Sequence, residues 1–239
     1  MILNNGILTS TLFEGLPVNH GFTTRACGNL GFGKNAGDPD VIENRRRLFE
    51  AQDLAGRIHV QPKQVHSERI IAAEHFQPGV EADAIVASDA RSLLSVLTAD
   101  CVPVLVYHPS GRVAAIHAGW RGLYDEIVPK TLSRLPSGVL AAVGPAIGLC
   151  CYEVGEDLAG QFERKFGKDV VAREPGRKPH LDLVAVAALQ LQQAGVQEME
   201  LSHLCTACHP ELFFSFRRDG SSGRQMSFIG LVSFTEKDT

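Results

Sequence analysis

None of the nine histidines sits in a His-x-His pair, so the chain lacks the paired imidazoles from which multicopper oxidases build a copper cluster. No apolar run approaches the roughly 18 residues that suggest a membrane span. The opening stretch MILNNGILTSTLFEGLPVNHGF has neither a basic n-region nor a long apolar segment, so no secretory leader is expected and the cytoplasm is the expected location. Without export, the six cysteines are expected as thiols or metal ligands, not as a disulfide framework. Excess positive charge is missing too. With 23 Lys and Arg against 27 Asp and Glu, the net charge is −4, which gives no reason to expect nucleic acid or an anionic membrane as partner. Gly31-Phe32-Gly33 lacks the third glycine of a nucleotide-binding loop. No repeat, low-complexity tract or Pro/Gly/Ser-rich linker divides the chain, and residues 1–239 read as one domain.

What is present is an ordinary globular composition, 44% apolar and 21% charged over 239 residues, enough for a sizeable core without staples. Asp38-Pro39 reads as an N-cap with proline at the first helical position, opening a helix through Ile42, Arg46 and Phe49. Arg57 to His66 and Ala82 to Ala87 read as short strands. Ser92 to Tyr107 reads as two buried strands joined by a tight turn at Thr98-Ala99-Asp100-Cys101. Arg112 to His117 is a further strand, followed by a helix to Leu135, and Val139 to Val143 a further one. Asp157 to Phe166 and Leu181 to Ala194 read as helices, the second stopped by Gly195. Met199 to Cys205, Phe213 to Phe216 and Gln225 to Val232 read as closing strands. The pattern is an α/β domain with mixed sheets flanked by helices.

Three segments place a metal-competent side chain at the end of an apolar strand: Gln64-Val65-His66-Ser67, Ala99-Asp100-Cys101-Val102-Pro103 and Ala115-Ile116-His117-Ala118-Gly119-Trp120-Arg121-Gly122. Two imidazoles and one thiolate suit zinc, which prefers nitrogen and sulfur donors in a tetrahedron. Three ligands leave a fourth position open, as in a catalytic site. The bland alternative is a packed thiol and two hydrogen-bonded core imidazoles.

These motifs, with His20-Gly21-Phe22-Thr23-Thr24-Arg25, Gly144-Pro145-Ala146-Ile147-Gly148 before Cys151-Tyr152-Glu153-Val154, and Phe213-Phe214-Ser215-Phe216-Arg217-Arg218-Asp219 before Gly223-Arg224, run in order through nearly the whole chain. The set resembles the YfiH/laccase-domain family, also called multicopper polyphenol oxidoreductases and, in one branch, peptidoglycan editing factors. The resemblance implies an α/β fold related to a toxin deamidase. It also implies a zinc centre at His66, Cys101 and His117, phosphorolysis of adenosine, inosine, guanosine and methylthioadenosine, and deamination of adenosine. The expected partners are thus a purine nucleoside and phosphate, with copper as the alternative metal.

Phosphorolysis needs a phosphate cradle. Arg25, Arg46 and Arg121 are candidates because guanidinium binds phosphate bidentately; a surface ion pair is the alternative for each. Asn35 falls where the family usually has a loop asparagine, and turn formation or substrate contact are both open to it. Asp100 either orients a ligand or caps backbone. Cys205-Thr206-Ala207-Cys208-His209 matches a haem-attachment pattern, but without export haem is not expected; a thiol pair or second metal site stays open. Cys150 and Cys151, adjacent, read as reduced. Rival functions are a copper-assisted polyphenol oxidase, a peptidoglycan-precursor editing hydrolase and a non-enzymatic binding protein.

Overall fold

Side chains along a strand alternate between its two faces, and in this chain the longest strands are apolar on both. The computed structural model describes residues 1–32, 37–220 and 223–232. Its strands are β1 (Ile2–Asn4), β2 (Ile7–Thr9), β3 (Val18–Thr23), β4 (Ile58–Val60), β5 (Ile70–Ala72), β6 (Ala84–Ala87), β7 (Ser92–Thr98), β8 (Val102–His108), β9 (Arg112–Ala118), β10 (Leu140–Val143), β11 (Val171–Ala172), β12 (His180–Leu181), β13 (Glu198–Leu201) and β14 (Gln225–Leu231). The helices are α1 (Pro39–Ala51), α2 (Trp120–Tyr124), α3 (Ile127–Leu132), α4 (Glu156–Phe166), α5 (Leu183–Gln193) and α6 (Phe216–Asp219).

A first six-stranded sheet runs β1-β2-β3-β14-β7-β4 and a second runs β13-β10-β8-β9-β6-β5, each mixing parallel and antiparallel pairs. Leu94, Val96 and Ile229 of the first sheet meet Leu105, Tyr107, Val113 and Ala115 of the second in a shared apolar layer. The alternate residues of the second sheet, among them Val104, Val106, Ala114 and Ile116, pack under α2, α3, α4 and α5 through Leu123, Ile127, Phe162 and Val186. Leu93, Met226 and Phe228, on the outer face of the first sheet, meet Leu48 of α1. This is the α/β arrangement with mixed sheets and flanking helices that the sequence implies. Among the described residues, no helix is long and apolar enough to cross a membrane.

Several elements differ from their sequence reading, each for a local reason. The two halves of Ser92 to Tyr107 enter different sheets, so the turn between them crosses from one sheet to the other. The strand read at Arg57 to His66 ends at Val60, just before Pro62, which has no N–H to give a ladder. The helix read through to Leu135 breaks at Glu126, whose φ is 63°. Continuing it would drive the Pro129 ring against the carbonyl of residue 125. Leu181 belongs to β12, and α5 starts after Asp182, whose Oδ1 accepts from the Ala185 N–H at 2.9 Å. The strand expected to run from Met199 to Cys205 spans Glu198–Leu201. Phe213 to Phe216 is not a strand. Gln225 takes a partner strand's place, accepting from Phe214 N and donating to Phe214 O, both at 3.0 Å. Ser215 then caps α6.

Candidate metal centre

The β7–β8 connection carries Ala99, Asp100 and Cys101 from one sheet to the other, and β9 pairs with β8 so that His117 lies opposite Pro103. His117 thus stands one residue before the end of its strand, beside Cys101. His66 arrives on the loop after β4, which Gln64 fastens to β7. Its amide nitrogen donates to Leu97 O and its amide oxygen accepts from Leu97 N, both at 2.7 Å. One ligand atom from each of His66, Cys101 and His117 lies within 4.8 Å of the other two. The imidazole rings stand edge to face with centroids 4.8 Å apart. His117 is buried, Cys101 half-buried and His66 exposed, so the cluster opens to solvent on one side.

Asp83, fully buried, organises the closed side. Its Oδ1 accepts from His117 Nδ1 at 2.8 Å and from the His66 N–H at 3.0 Å. Its Oδ2 accepts from Val65 N, Ser67 N and Ser67 Oγ at 3.2, 2.7 and 2.8 Å. An ionised carboxylate only accepts, so Nδ1 of His117 carries the proton and Nε2 is left for the cluster. Burial works against the Asp83 charge, yet its bonds to His117 and Ser67 prevail and hold it down at about 2. Burial likewise opposes charge on Cys101 and His117. Facing each other they overcome it: the imidazole, with help from His66, brings the thiol down to about 6, while the thiolate and Asp83 bring His117 up to about 9. A thiolate paired with an imidazolium is what a metal-ligand set holds before a cation replaces the proton.

The space between the donors depends on a glycine. A Cβ on Gly119 would sit 3.0 Å from Cδ2 of His66 and 3.3 Å from Sγ of Cys101. Asp100 holds the thiol turn from behind with φ of 97°, a conformation costly for a residue other than glycine. Its carbonyl accepts from Ile147 N at 2.8 Å, its Oδ1 from Thr206 Oγ1 at 2.6 Å and its Oδ2 from Arg217 N at 2.7 Å. Asp100 is a backbone anchor. Soft thiolate, two imidazoles, a carboxylate behind one of them and an open side fit zinc or a similar cation.

Of the candidate substrate residues, Arg121 follows Gly119-Trp120 directly, stacks on the Trp120 ring at 4.3 Å and has no carboxylate partner among the described residues. Arg25 lies over the Phe214 ring at 4.6 Å, with Nη1 3.7 Å from Asp219. Arg46 is on the exposed face of α1, its guanidinium engaged by Glu43 at 2.8 Å and Glu50 at 2.6 Å; among the described residues, no contact ties it to the cluster. Asn35 lies outside the described residues. Sequence reasoning passed over Asp83, although a charged residue inside Ala82-Asp83-Ala84-Ile85-Val86 is itself a signal. It also passed over Tyr152, whose hydroxyl is pushed up to about 12 by burial and then by the nearby Cys101 charge, and Arg217, stacked on that ring at 5.0 Å.

Several known proteins are similar to this chain over most of its length. A purine nucleoside phosphorylase from Deinococcus radiodurans is 40% identical over 235 residues, covering 90% of each chain. The purine nucleoside phosphorylase YfiH of Escherichia coli is 38% identical over 213 residues, 85% of this chain and 87% of that one. The crystal structure of YlmD from Geobacillus stearothermophilus superposes with a TM-score of 0.86 at 30% identity, over 98% of both chains. The family model described as multi-copper polyphenol oxidoreductase laccase matches residues 19–232, and the chain belongs to that family.

Proposed function

We propose that the chain is a zinc-dependent purine nucleoside phosphorylase with its metal at His66, Cys101 and His117. The observation that carries the reading is the graded burial of these three donors, which leaves a three-ligand centre open on one side, the form of a catalytic rather than a structural site. The substrate class comes from the relatives named purine nucleoside phosphorylase. When bound, the metal supplies Lewis acidity to an oxygen presented at its open side.

The chain's own groups do the rest. Asp83 fixes the tautomer of His117, and Gly119 keeps the approach clear. Arg121, with Arg25 beside α6, holds phosphate as it attacks C1′ of the ribose and the bond to the purine nitrogen breaks. Tyr152 keeps its proton at neutral pH and offers a donor to the departing base. Phe216, 57% exposed beside Arg217, gives an aromatic face on which a purine can stack. Adenosine, inosine, guanosine and methylthioadenosine share the scissile bond, and the 6-amino group of adenosine is a second target, displaced by water. Copper at the same donors is the alternative metal, because Cu²⁺ outcompetes Zn²⁺ at most N/S sites. A four-copper oxidase does not fit. Among the described residues, the groups close enough to share a metal contain two histidines, His66 and His117. The peptidoglycan-editing reading rests on the family branch alone.

The test uses inosine, which has no amino group and reports only the sugar reaction. Its conversion to hypoxanthine should require phosphate, while adenosine conversion to inosine should not. Arg121→Ala should slow phosphorolysis roughly ten- to a hundred-fold, about 1.5–3 kcal/mol for one lost charge-assisted contact. Cys101→Ala should abolish both reactions. Equal cleavage of inosine without phosphate makes the enzyme a hydrolase and removes the phosphate role of the arginines.

A further inference from the structure

Away from this centre, the turn after β10 and the strip after β13 run side by side, joined by one isolated bridge between Ala146 and Cys205. Together they bring four cysteines into contact. The sulfurs of Cys150, Cys151, Cys205 and Cys208 all lie within 4.8 Å of one another, and that of Cys208 is 3.4 Å from both Cys150 and Cys151. A disulfide would need about 2.0 Å. Four thiolates around one zinc at about 2.3 Å stand roughly 3.8 Å apart along each edge of the tetrahedron. The spacing here brackets that edge.

Two further features suit thiolate ligands. The Gly148 N–H donates to Sγ of Cys205 at 3.2 Å, and the peptide N–H groups of Ala207 and Cys208 turn toward the same sulfur. Cys205-Thr206-Ala207-Cys208 thereby wraps its own first sulfur in backbone donors. Two guanidiniums border the group. Arg217 donates to the carbonyls of Cys151 and Glu153, at 3.4 and 2.8 Å, and Arg218 to those of Thr206 and Ala207, at 2.9 and 3.1 Å. Zinc with four thiolates carries a net charge of −2, which Arg217 offsets in part, while Arg218 is itself paired with Asp219 at 2.6 Å. A haem attached at Cys205 and Cys208 would need room at sulfurs that instead face Cys150 and Cys151, and His209 lies 3.2 Å from Glu211.

We infer that Cys150, Cys151, Cys205 and Cys208 form a second metal site, a closed four-thiolate zinc centre that cross-links the turn after β10 to the strip after β13. With four protein ligands it has no open position, so its role is structural. It also bears on the first centre. Thr206, inside the Cys-x-x-Cys segment, donates to Asp100, and Asp100 positions the turn that carries Cys101. The second zinc thus steadies the floor beneath the first.

The test counts metal on the full-length chain. Protein produced with zinc and freed of loosely held metal should contain about two zinc ions per chain, and His117→Ala should keep about one. Cys205→Ser with Cys208→Ser should lose the other. Because that double variant is liable to unfold, His117→Ala protein is also loaded with Co²⁺ after zinc removal. Intense sulfur-to-cobalt charge transfer and the visible bands of a tetrahedral four-thiolate ion are expected. The inference is overturned if His117→Ala protein holds no zinc and its cobalt form lacks those bands. A mass 2 Da below the reduced chain, marking a disulfide within the four, overturns it as well. Failure of the first centre reads differently, as one zinc in the parent chain that His117→Ala leaves untouched.

Discussion

Replacing Asp83 with asparagine keeps the shape of the side chain and removes one acceptor oxygen and the charge. Two placements of the amide are available, and both are costly. With the amide nitrogen at the Oδ2 position, it faces the Val65 and Ser67 N–H groups and leaves two buried donors unpaired, at about 1–3 kcal/mol each. With the nitrogen at the Oδ1 position, it faces the His66 N–H and His117 Nδ1. His117 must then shift its proton to Nε2, the lone pair that a metal needs. Outer-shell losses of this kind cost about 10- to 100-fold in metal affinity, or about 1.4–2.8 kcal/mol at 1.4 per decade. Competition with a chromophoric chelator measures the affinity, thermal unfolding of metal-free protein measures the buried donors, and ¹⁵N spectra of the imidazole report the tautomer. Parental zinc affinity together with parental stability in Asp83→Asn would refute the assignment of Asp83 as the residue that positions His117.

Gly119→Ala tests space alone, because φ of −73° at this position suits alanine. Its methyl group would press on His66 and Cys101, so zinc affinity and turnover should fall together by tenfold or more, with a small change in melting temperature; parental turnover would show that the donors have slack. Metal-free protein should also show a stability plateau in pH. His117 is raised to about 9, so its contribution is complete below its unfolded value near 6.5 and is lost as pH rises through 9. Cys101 is lowered to about 6, so its contribution is complete above its unfolded value near 8.5 and is lost as pH falls through 6. The melting-temperature difference between parent and Cys101→Ala should therefore peak between about pH 6 and 9 and shrink on both sides. A difference flat from about pH 5 to 10 would show that the pair is not charged.

Much of the scaffold was legible because burial leaves a periodic trace. The strands from Ser92 to His117 are continuous apolar runs, and they are the strands buried on both faces. What the runs do not encode is which sheet each joins, because β-branched residues suit either; the crossing at Asp100 became visible only with the pairing partners. Phe213 to Phe216 misled for a related reason. Aromatic residues are enriched in strands, but here Phe213 anchors the layer between the sheets while Gln225 supplies the pairing. The three motif-borne donors sit together, although His66 lies on the loop after β4 and not at the strand end read for it. Arg46 could have been separated from Arg121 in sequence, because Glu43 and Glu50 stand at i−3 and i+4 on the helix read there and do engage its guanidinium.

Two buried aspartates set the proposed metal centre apart from a packed thiol and two core imidazoles. His66 and Asp100 both hold positive φ, at 59° and 97°, and such conformations cost on the order of 1–3 kcal/mol each unless their surroundings over-determine them. Asp83 fixes the first by gathering three consecutive N–H groups, from Val65 to Ser67. Asp100 fixes its own backbone by reaching Thr206 and Arg217 while its carbonyl takes Ile147. A core that merely packed a cysteine would have no use for two buried carboxylates holding adjacent strained turns, since apolar residues fill space at lower cost. The expense is understandable if the donors must already stand together before the metal arrives, because ordering them at the moment of binding would subtract from affinity. In the proposed metal centre both aspartates would preorganise the donors, one acting through an imidazole tautomer and the other through the path of the backbone.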